Sequence, residues 1–179
     1  MKKKWTILAA AALVGTTTTA FVSQDQEAVA PQTAAADHNQ PIAFPHNTHA
    51  GTYQIDCQYC HFSAERSVDA GIPPVSSCMG CHSVIPGANA PEEVSKIREY
   101  ANNGESIPWV RIHKVADHVR FPHMRHINAG LTCQECHGPI EEKGVLVEPD
   151  PTWGNGSMGW CVSCHVEREV SRDCTVCHY

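Results

Sequence analysis

The ten cysteines of this 179-residue chain all occur in one spacing, as pairs separated by two residues, and a histidine directly follows every pair. C-x-x-C-H is the attachment pattern of c-type haem, in which the cysteines form thioether bonds and the histidine is the proximal iron ligand. The pattern predicts five covalently bound haem c groups. In chain order, motifs 1 to 5 are Cys57, Cys60 and His61; Cys78, Cys81 and His82; Cys133, Cys136 and His137; Cys161, Cys164 and His165; and Cys174, Cys177 and His178.

Two other uses of cysteine pairs fit the pattern less well. Structural zinc sites also combine C-x-x-C pairs, but they do not require a histidine beside the second cysteine. A disulfide within C-x-x-C would connect no distant parts of the chain. The net charge of −6 is modest, which argues against both a nucleic-acid binder and an acidic disordered chain.

Histidines outside the motifs supply candidates for the distal iron ligands. The segment F-P-H-x-x-H occurs before motif 1, with His46 and His49, and again before motif 3, with His123 and His126. Residues at i and i+3 of a helix point about 60° apart, so such a pair can serve two neighbouring haems but not opposite faces of one iron. These four histidines are the predicted distal ligands.

The fifth distal ligand is left open between His113 and His118. Met158, just before motif 4, is a rival axial ligand whose alternative role is to fill a gap between packed side chains. His38 falls in a polar segment and is expected to be solvated. With five proximal histidines and at least five distal candidates, every iron can be six-coordinate.

The N-terminus resembles a signal sequence or an uncleaved signal anchor. Three lysines precede an uncharged stretch from Trp5 to Ser23, which is long enough to span a bilayer. We expect a transmembrane anchor at 1–23 and a linker at 24–41, although Ala28-Val29-Ala30 resembles a cleavage site. Either way, the lysines stay in the cytoplasm and the haem domain, 42–179, faces the periplasm from the inner membrane.

The haem domain is expected to be mostly irregular, with short α-helices and a core made largely of haem. It contains an internal repeat, 42–82 and 119–165, with the fifth haem appended at 174–178. Proline and acids at Pro91-Glu92-Glu93 predict a helix that ends at Asn102-Asn103-Gly104. The motifs are predicted to be single helical turns, and Ile107 to Ile112 is predicted to be extended.

The repeated C-x-x-C-H and F-P-H-x-x-H segments resemble class III multihaem cytochromes of the c3/c7 type. A longer match includes Pro108-Trp109-Val110-Arg111-Ile112-His113, Asp117-His118-Val119 and Met158-Gly159-Trp160-Cys161. Over nearly the whole exported region, the chain is similar to the pentahaem cytochrome subunit of alternative complex III, a membrane quinol:acceptor oxidoreductase of respiratory chains. The resemblance implies an electron-transfer subunit that works with iron–sulfur and quinol-binding subunits. Its electron acceptor would be a monohaem cytochrome c or a terminal oxidase.

We assign no catalytic residues, because the supply of histidines can occupy both axial positions of five irons. A multihaem reductase, which would need an iron with an open position, is one alternative. A stand-alone periplasmic multihaem cytochrome is another. No nucleic-acid partner is expected.

Overall fold

The computed structural model describes residues 39–179. The predicted anchor and all but the last three residues of the predicted linker lie outside the described residues. Within 39–179, no helix is long and apolar enough to cross a membrane. These residues belong to one compact unit.

Short helices joined by irregular segments form the described part of the chain, which contains no β-strand. A π-helical turn covers Asn47–Thr52, and 3₁₀ turns cover Ile140–Glu142 and Cys174–Val176. The prediction of a mostly irregular chain with short helices is therefore confirmed. The α-helices are α1 (Cys57–Cys60), α2 (Val75–His82), α3 (Pro91–Asn103), α4 (His123–Asn128), α5 (Gln134–His137) and α6 (Met158–Glu167).

The prediction that each motif is a single helical turn is correct for motifs 1, 3 and 5 and wrong for the other two. Motif 2 ends the eight-residue helix α2, and motif 4 lies inside the ten-residue helix α6. Ser157 explains the early start of α6, because its side chain accepts a hydrogen bond from the amide of Trp160 and caps the helix.

Helix α3 begins and ends where the sequence predicts. Pro91 occupies its first turn together with Glu92 and Glu93, and Gly104 follows its last residue in the left-handed conformation, with φ of 67°. Val94 and Ile97 form the buried face of the helix. The helix also contacts the chain before motif 1, where the amide of Ala43 donates a hydrogen bond to the carboxylate of Glu93 at 2.8 Å.

The protein core among the described residues is small. Ile42, Ile97 and Ile107 form a buried cluster, against which α2 packs through Val75 and Met79. Ala64 and Val94 are the other buried hydrophobic residues in this range, and no charged or polar residue there is buried. A core this thin agrees with the expectation that a large apolar cofactor contributes to the interior.

The two F-P-H-x-x-H segments differ in their helical form. The segment before motif 3 leads into the α-helix α4, whereas the segment before motif 1 leads into the π-helical turn. Seven residues lie between His49 and Cys57, but only six lie between His126 and Cys133. A π-helix contains an additional residue per turn, so it accommodates the extra residue while the histidines keep their spacing.

Each F-P-H-x-x-H segment is held by a loop from the other repeat. The amides of the first histidine of the segment and of the residue after it donate to carbonyls that lie seven and six residues, respectively, after the first proximal histidine of the other repeat. The repeats are therefore interlocked through backbone groups, and the positions of the distal candidates in one repeat depend on the other. The donor–acceptor pairs are His46 to Gly144 at 3.3 Å, Asn47 to Lys143 at 2.6 Å, His123 to Val68 at 3.0 Å and Met124 to Ser67 at 3.0 Å.

Candidate haem-binding sites

All ten cysteine thiols are free in the structure, and each of them lies within the described residues. Between residues 39 and 179, no three Cys, His, Asp or Glu side chains come together in a way that could hold a metal ion. The cysteine thiols are available for thioether bonds.

Three of the predicted distal histidines face a proximal histidine at the distance expected for a shared iron. With metal–nitrogen bonds of about 2 Å, two imidazoles on opposite sides of one iron have ring centres about 6 Å apart. The ring centres are 6.1 Å apart for His49 and His82, 6.2 Å for His126 and His165, and 6.5 Å for His123 and His137.

Motifs 1 and 5 also have a histidine beside their proximal ligand. The rings of His118 and His178 lie nearly parallel, with centres 5.4 Å apart. His46 lies close enough to His61 for the charge of His61 to lower the pKa of His46. The structure thus places a different non-motif histidine ring 5.4–6.5 Å from the ring of each of four proximal histidines, and it places His46 within electrostatic range of the fifth, His61.

Hydrogen bonds to backbone carbonyls fix the orientation of seven of these imidazoles. In each case Nδ1–H donates and leaves Nε2 free, which is the arrangement that metal-ligating histidines adopt. This donor geometry fits iron ligation by imidazole. The donors and acceptors are His61 to Gly71, His82 to Ile85, His165 to Ser171, His178 to His118, His49 to Pro45, His123 to Val68 and His126 to Pro122, with distances of 2.6–3.0 Å.

Burial favours the neutral form of four of the imidazoles. Desolvation is the main cause that lowers the pKa of His46 and of His137, each to about 4, and it also lowers the pKa of His49 and His113. A neutral imidazole has the free lone pair that an iron requires. The side-chain atom Nδ1 of His46 is buried without a hydrogen-bond partner. The backbone amide of His46, in contrast, donates to the carbonyl of Gly144.

The remaining candidates occupy different positions. His113 approaches His137 edge-to-face with ring centres 4.6 Å apart, which is too close for an iron to lie between them. A cavity of about 330 Å³ adjoins both rings, and Ile140, Val145 and Leu146 give it apolar walls. Met158 begins α6 and is 67% exposed. His38 lies outside the described residues.

Two phenylalanines, which the sequence analysis did not identify as site residues, position the distal candidates. Phe44 contacts His46 edge-to-face at 4.9 Å and stacks on His49 at 4.4 Å. Phe121 makes the same two contacts with His123 and His126, at 5.0 and 4.3 Å. The recurrence of Phe in both F-P-H-x-x-H segments is the sequence signal that could have revealed this role.

The attachment cysteines of different motifs also approach one another. Burial is the largest cause that raises the pKa of Cys60, and the charges of Cys78, Cys57 and Cys81 add to it. Burial is also the main cause of the raised pKa values of Cys78, Cys133, Cys136 and Cys161, and the last three have cysteines of other motifs among their further causes. Those neighbours are Cys57 for Cys133, whose pKa rises to about 11, Cys164 and Cys161 for Cys136, and Cys177 for Cys161.

Comparisons with known proteins agree with the chemistry of these motifs. Residues 22–107 match the class III cytochrome C family, and residues 119–179 match cytochrome c7 and related cytochrome c. The two matched ranges include all five motifs. The chain is therefore a multihaem cytochrome c of the class III and c7 type.

A curated relative belongs to the same class. The multihaem cytochrome c subunit of the menaquinone reductase of Nitratidesulfovibrio vulgaris (strain Hildenborough) is 34% identical over 107 residues. The aligned part makes up 60% of this chain and 50% of that protein, so the chain spans about half the length of the relative.

Proposed function

We propose that this cytochrome is the electron-relay subunit of a membrane quinone-linked oxidoreductase and that it carries five haem c groups. The observation that carries the proposal is the pairing of every proximal histidine with a second histidine. When bound, each haem supplies an iron that takes up and releases one electron.

The chain's residues hold these groups in a defined way. Each motif provides two thiols for covalent attachment and a proximal imidazole. The proposed distal ligands are His46 for motif 1, His49 for motif 2, His123 for motif 3, His126 for motif 4 and His118 for motif 5. In this assignment His113 and Met158 are not iron ligands.

A relay without catalysis of its own follows from the ligand supply. An iron with two histidine ligands has no position for a substrate, whereas a multihaem reductase needs an open one. The pairing of all five proximal histidines therefore supports electron transfer over reduction of a small molecule.

The partners in this proposal are the iron–sulfur and quinone-binding subunits of a respiratory complex at the inner membrane. The haem domain faces the periplasm and the N-terminus lies in the cytoplasm. Electrons leave a quinol site on another subunit and continue to a monohaem cytochrome c or a terminal oxidase, as in alternative complex III.

A second candidate has the opposite direction of electron flow. The relative of known function is a subunit of a menaquinone reductase, and its name describes transfer of electrons to a quinone. In that case a periplasmic donor would reduce this cytochrome, and the quinone would be the final acceptor. Measuring which of the two reactions the purified complex catalyses distinguishes the candidates.

Mass spectrometry of the intact protein, together with electron paramagnetic resonance, tests the proposal. The expected mass is that of the polypeptide plus five haems, and the expected ferric spectrum is low-spin. The same mass reports whether Met1 is retained. Fewer haems, or a major high-spin signal in the intact protein, would contradict the proposal and favour a reductase.

A further inference from the structure

Contacts between the motifs show which attachment sites are neighbours, beginning with motifs 1 and 2. The ring of Phe44 lies against both His46 and His49. His46 neighbours His61 of motif 1, and His49 faces His82 of motif 2. The interaction of Cys60 with Cys78 and Cys81 connects the same two motifs.

Motifs 3 and 4 are neighbours in the same manner. Phe121 contacts both His123, which faces His137, and His126, which faces His165. The salt bridge between Arg168, which follows α6, and Glu135 of α5 joins these two motifs at 2.5 Å.

Motif 1 also lies beside motif 3. Cys57 lies close enough to Cys133 to add to the raised pKa of the Cys133 thiol, and His61 lies close enough to His137 to add to its lowered pKa. The reciprocal backbone bonds between the two repeats hold the same region together, because each comes from the loop that follows motif 1 or motif 3.

Motif 5 continues from motif 4. Eight residues separate His165 from Cys174, and Cys161 of motif 4 interacts with Cys177 of motif 5. At the outer ends of this series the cysteines are more accessible: Cys81 of motif 2 and Cys174 of motif 5 are the two exposed cysteines among the ten.

We infer that the five attachment sites form one linear series in the order 2, 1, 3, 4, 5, which differs from their order in the sequence. The sites at its ends are motif 2, at the end of α2, and motif 5, at the C-terminus. This inference rests on the proposed function and specifies its route. An electron-carrying donor protein is oxidised at one end, an acceptor protein is reduced at the other, and each passage moves one electron without bond changes.

The direct test is the structure of the haem-loaded full-length protein, with the irons located by anomalous scattering. The iron bound by His61 should have two nearest neighbours, those bound by His82 and His137. If the iron of His82 instead lies between the other two, the inference is overturned. A structure with five bound haems arranged in sequence order would refute only the inferred order of the sites. A structure with fewer than five bound haems would refute the proposed function.

Potentiometric titration tests the same order in solution. Replacement of a distal histidine by methionine raises the potential of one haem. That haem then stays reduced, and carries less positive charge, while its neighbours are oxidised. The weaker repulsion makes the neighbours easier to oxidise, so their apparent potentials fall. This effect declines with the distance between the haems. His46→Met should shift two other haems and His49→Met only one.

The sequence order would give the opposite result, with two shifted neighbours for His49→Met and one for His46→Met. Met158→Leu is the matched control, since Met158 is exposed and lies outside the histidine pairs. It should leave every potential unchanged.

Discussion

At the residue scale, the two histidines of one F-P-H-x-x-H segment are directed to different motifs. His49 faces His82, while His46 lies beside His61. One helical turn therefore fixes the separation of two attachment sites, with Phe44 packed against both rings. This arrangement and the pairing of His118 with His178 each lead to one prediction about single residues.

His46→Ala and His49→Ala should each convert a different haem from low-spin to high-spin, because each removes one axial ligand. The double variant should then contain two high-spin haems. Electron paramagnetic resonance of the intact protein, calibrated against total haem, measures the number. Loss of the same low-spin signal in both single variants would show that the two histidines serve one haem.

The fifth distal ligand is predicted to be His118 and not His113. His118→Ala should produce one high-spin haem, because its ring faces His178, whereas His113→Ala should leave all haems low-spin, because its ring meets His137 edge-to-face. The two variants are matched controls for each other in the same resonance measurement. The reverse outcome would assign His113 as the ligand.

At the scale of secondary-structure elements, the small protein core depends on α3 and its partners. Ile97 is 7% exposed and packs with Ile42 and Ile107, while Glu99 lies on the exposed face of the same helix. The salt bridges of the described region join partly exposed side chains and contribute little by comparison.

Ile97→Ala should lower the free energy of unfolding by about 2–5 kcal/mol, because it removes buried methyl groups and leaves a cavity. Glu99→Ala should change it by less than about 0.5 kcal/mol. Denaturant unfolding of the haem-loaded protein measures both values. An equal effect of the two substitutions would mean that the isoleucine cluster contributes little to stability.

The turn after α5 needs a glycine. Gly138, directly after His137, has φ of 69° and ψ of −168°, a conformation available almost only to glycine. A Cβ there would also lie 2.5 Å from the indole of Trp153.

Gly138→Ala should therefore reduce the free energy of unfolding by about 1–3 kcal/mol or more. Gly159, in α6, has no atom within 4 Å of the corresponding Cβ position. Gly159→Ala should be neutral or stabilising by up to about 1 kcal/mol, since alanine favours a helix. Thermal unfolding of the two haem-loaded variants compares them, and similar midpoints would contradict the strain argument.

At the scale of the whole molecule, the cytochrome is expected to exchange electrons with proteins and not with quinones directly. The purified polypeptide, once chemically reduced, should pass electrons to a cytochrome acceptor. Mixed with a quinol or a quinone alone, it should show no rapid turnover, because the quinone site belongs to another subunit in the proposed complex. Fast, inhibitor-sensitive quinol oxidation or quinone reduction by the isolated polypeptide would contradict this prediction.

The sequence by itself determined the chemistry of the sites, because covalent haem attachment depends on residues that are adjacent in the chain. The five C-x-x-C-H motifs are read directly from this local spacing, and the helix from Pro91 follows from local signals for its start and end. Predictions about the N-terminal anchor concern residues outside those the structure describes.

Only the tertiary structure decided which parts of the chain meet. The approach of His118 to His178, the proximity of Cys57 to Cys133 and the interlocking of the two repeats involve residues far apart in the sequence. Local patterns could not distinguish His113 from His118, because both precede motif 3 without a distinctive spacing. The lengths of α2 and α6 also depended on packing and capping, whereas C-x-x-C-H alone specifies a single turn. The order of the sites is a property of the folded chain for the same physical reason. Long-range contacts bring motif 1 beside motif 3, although motif 2 and a further fifty residues lie between them in the sequence.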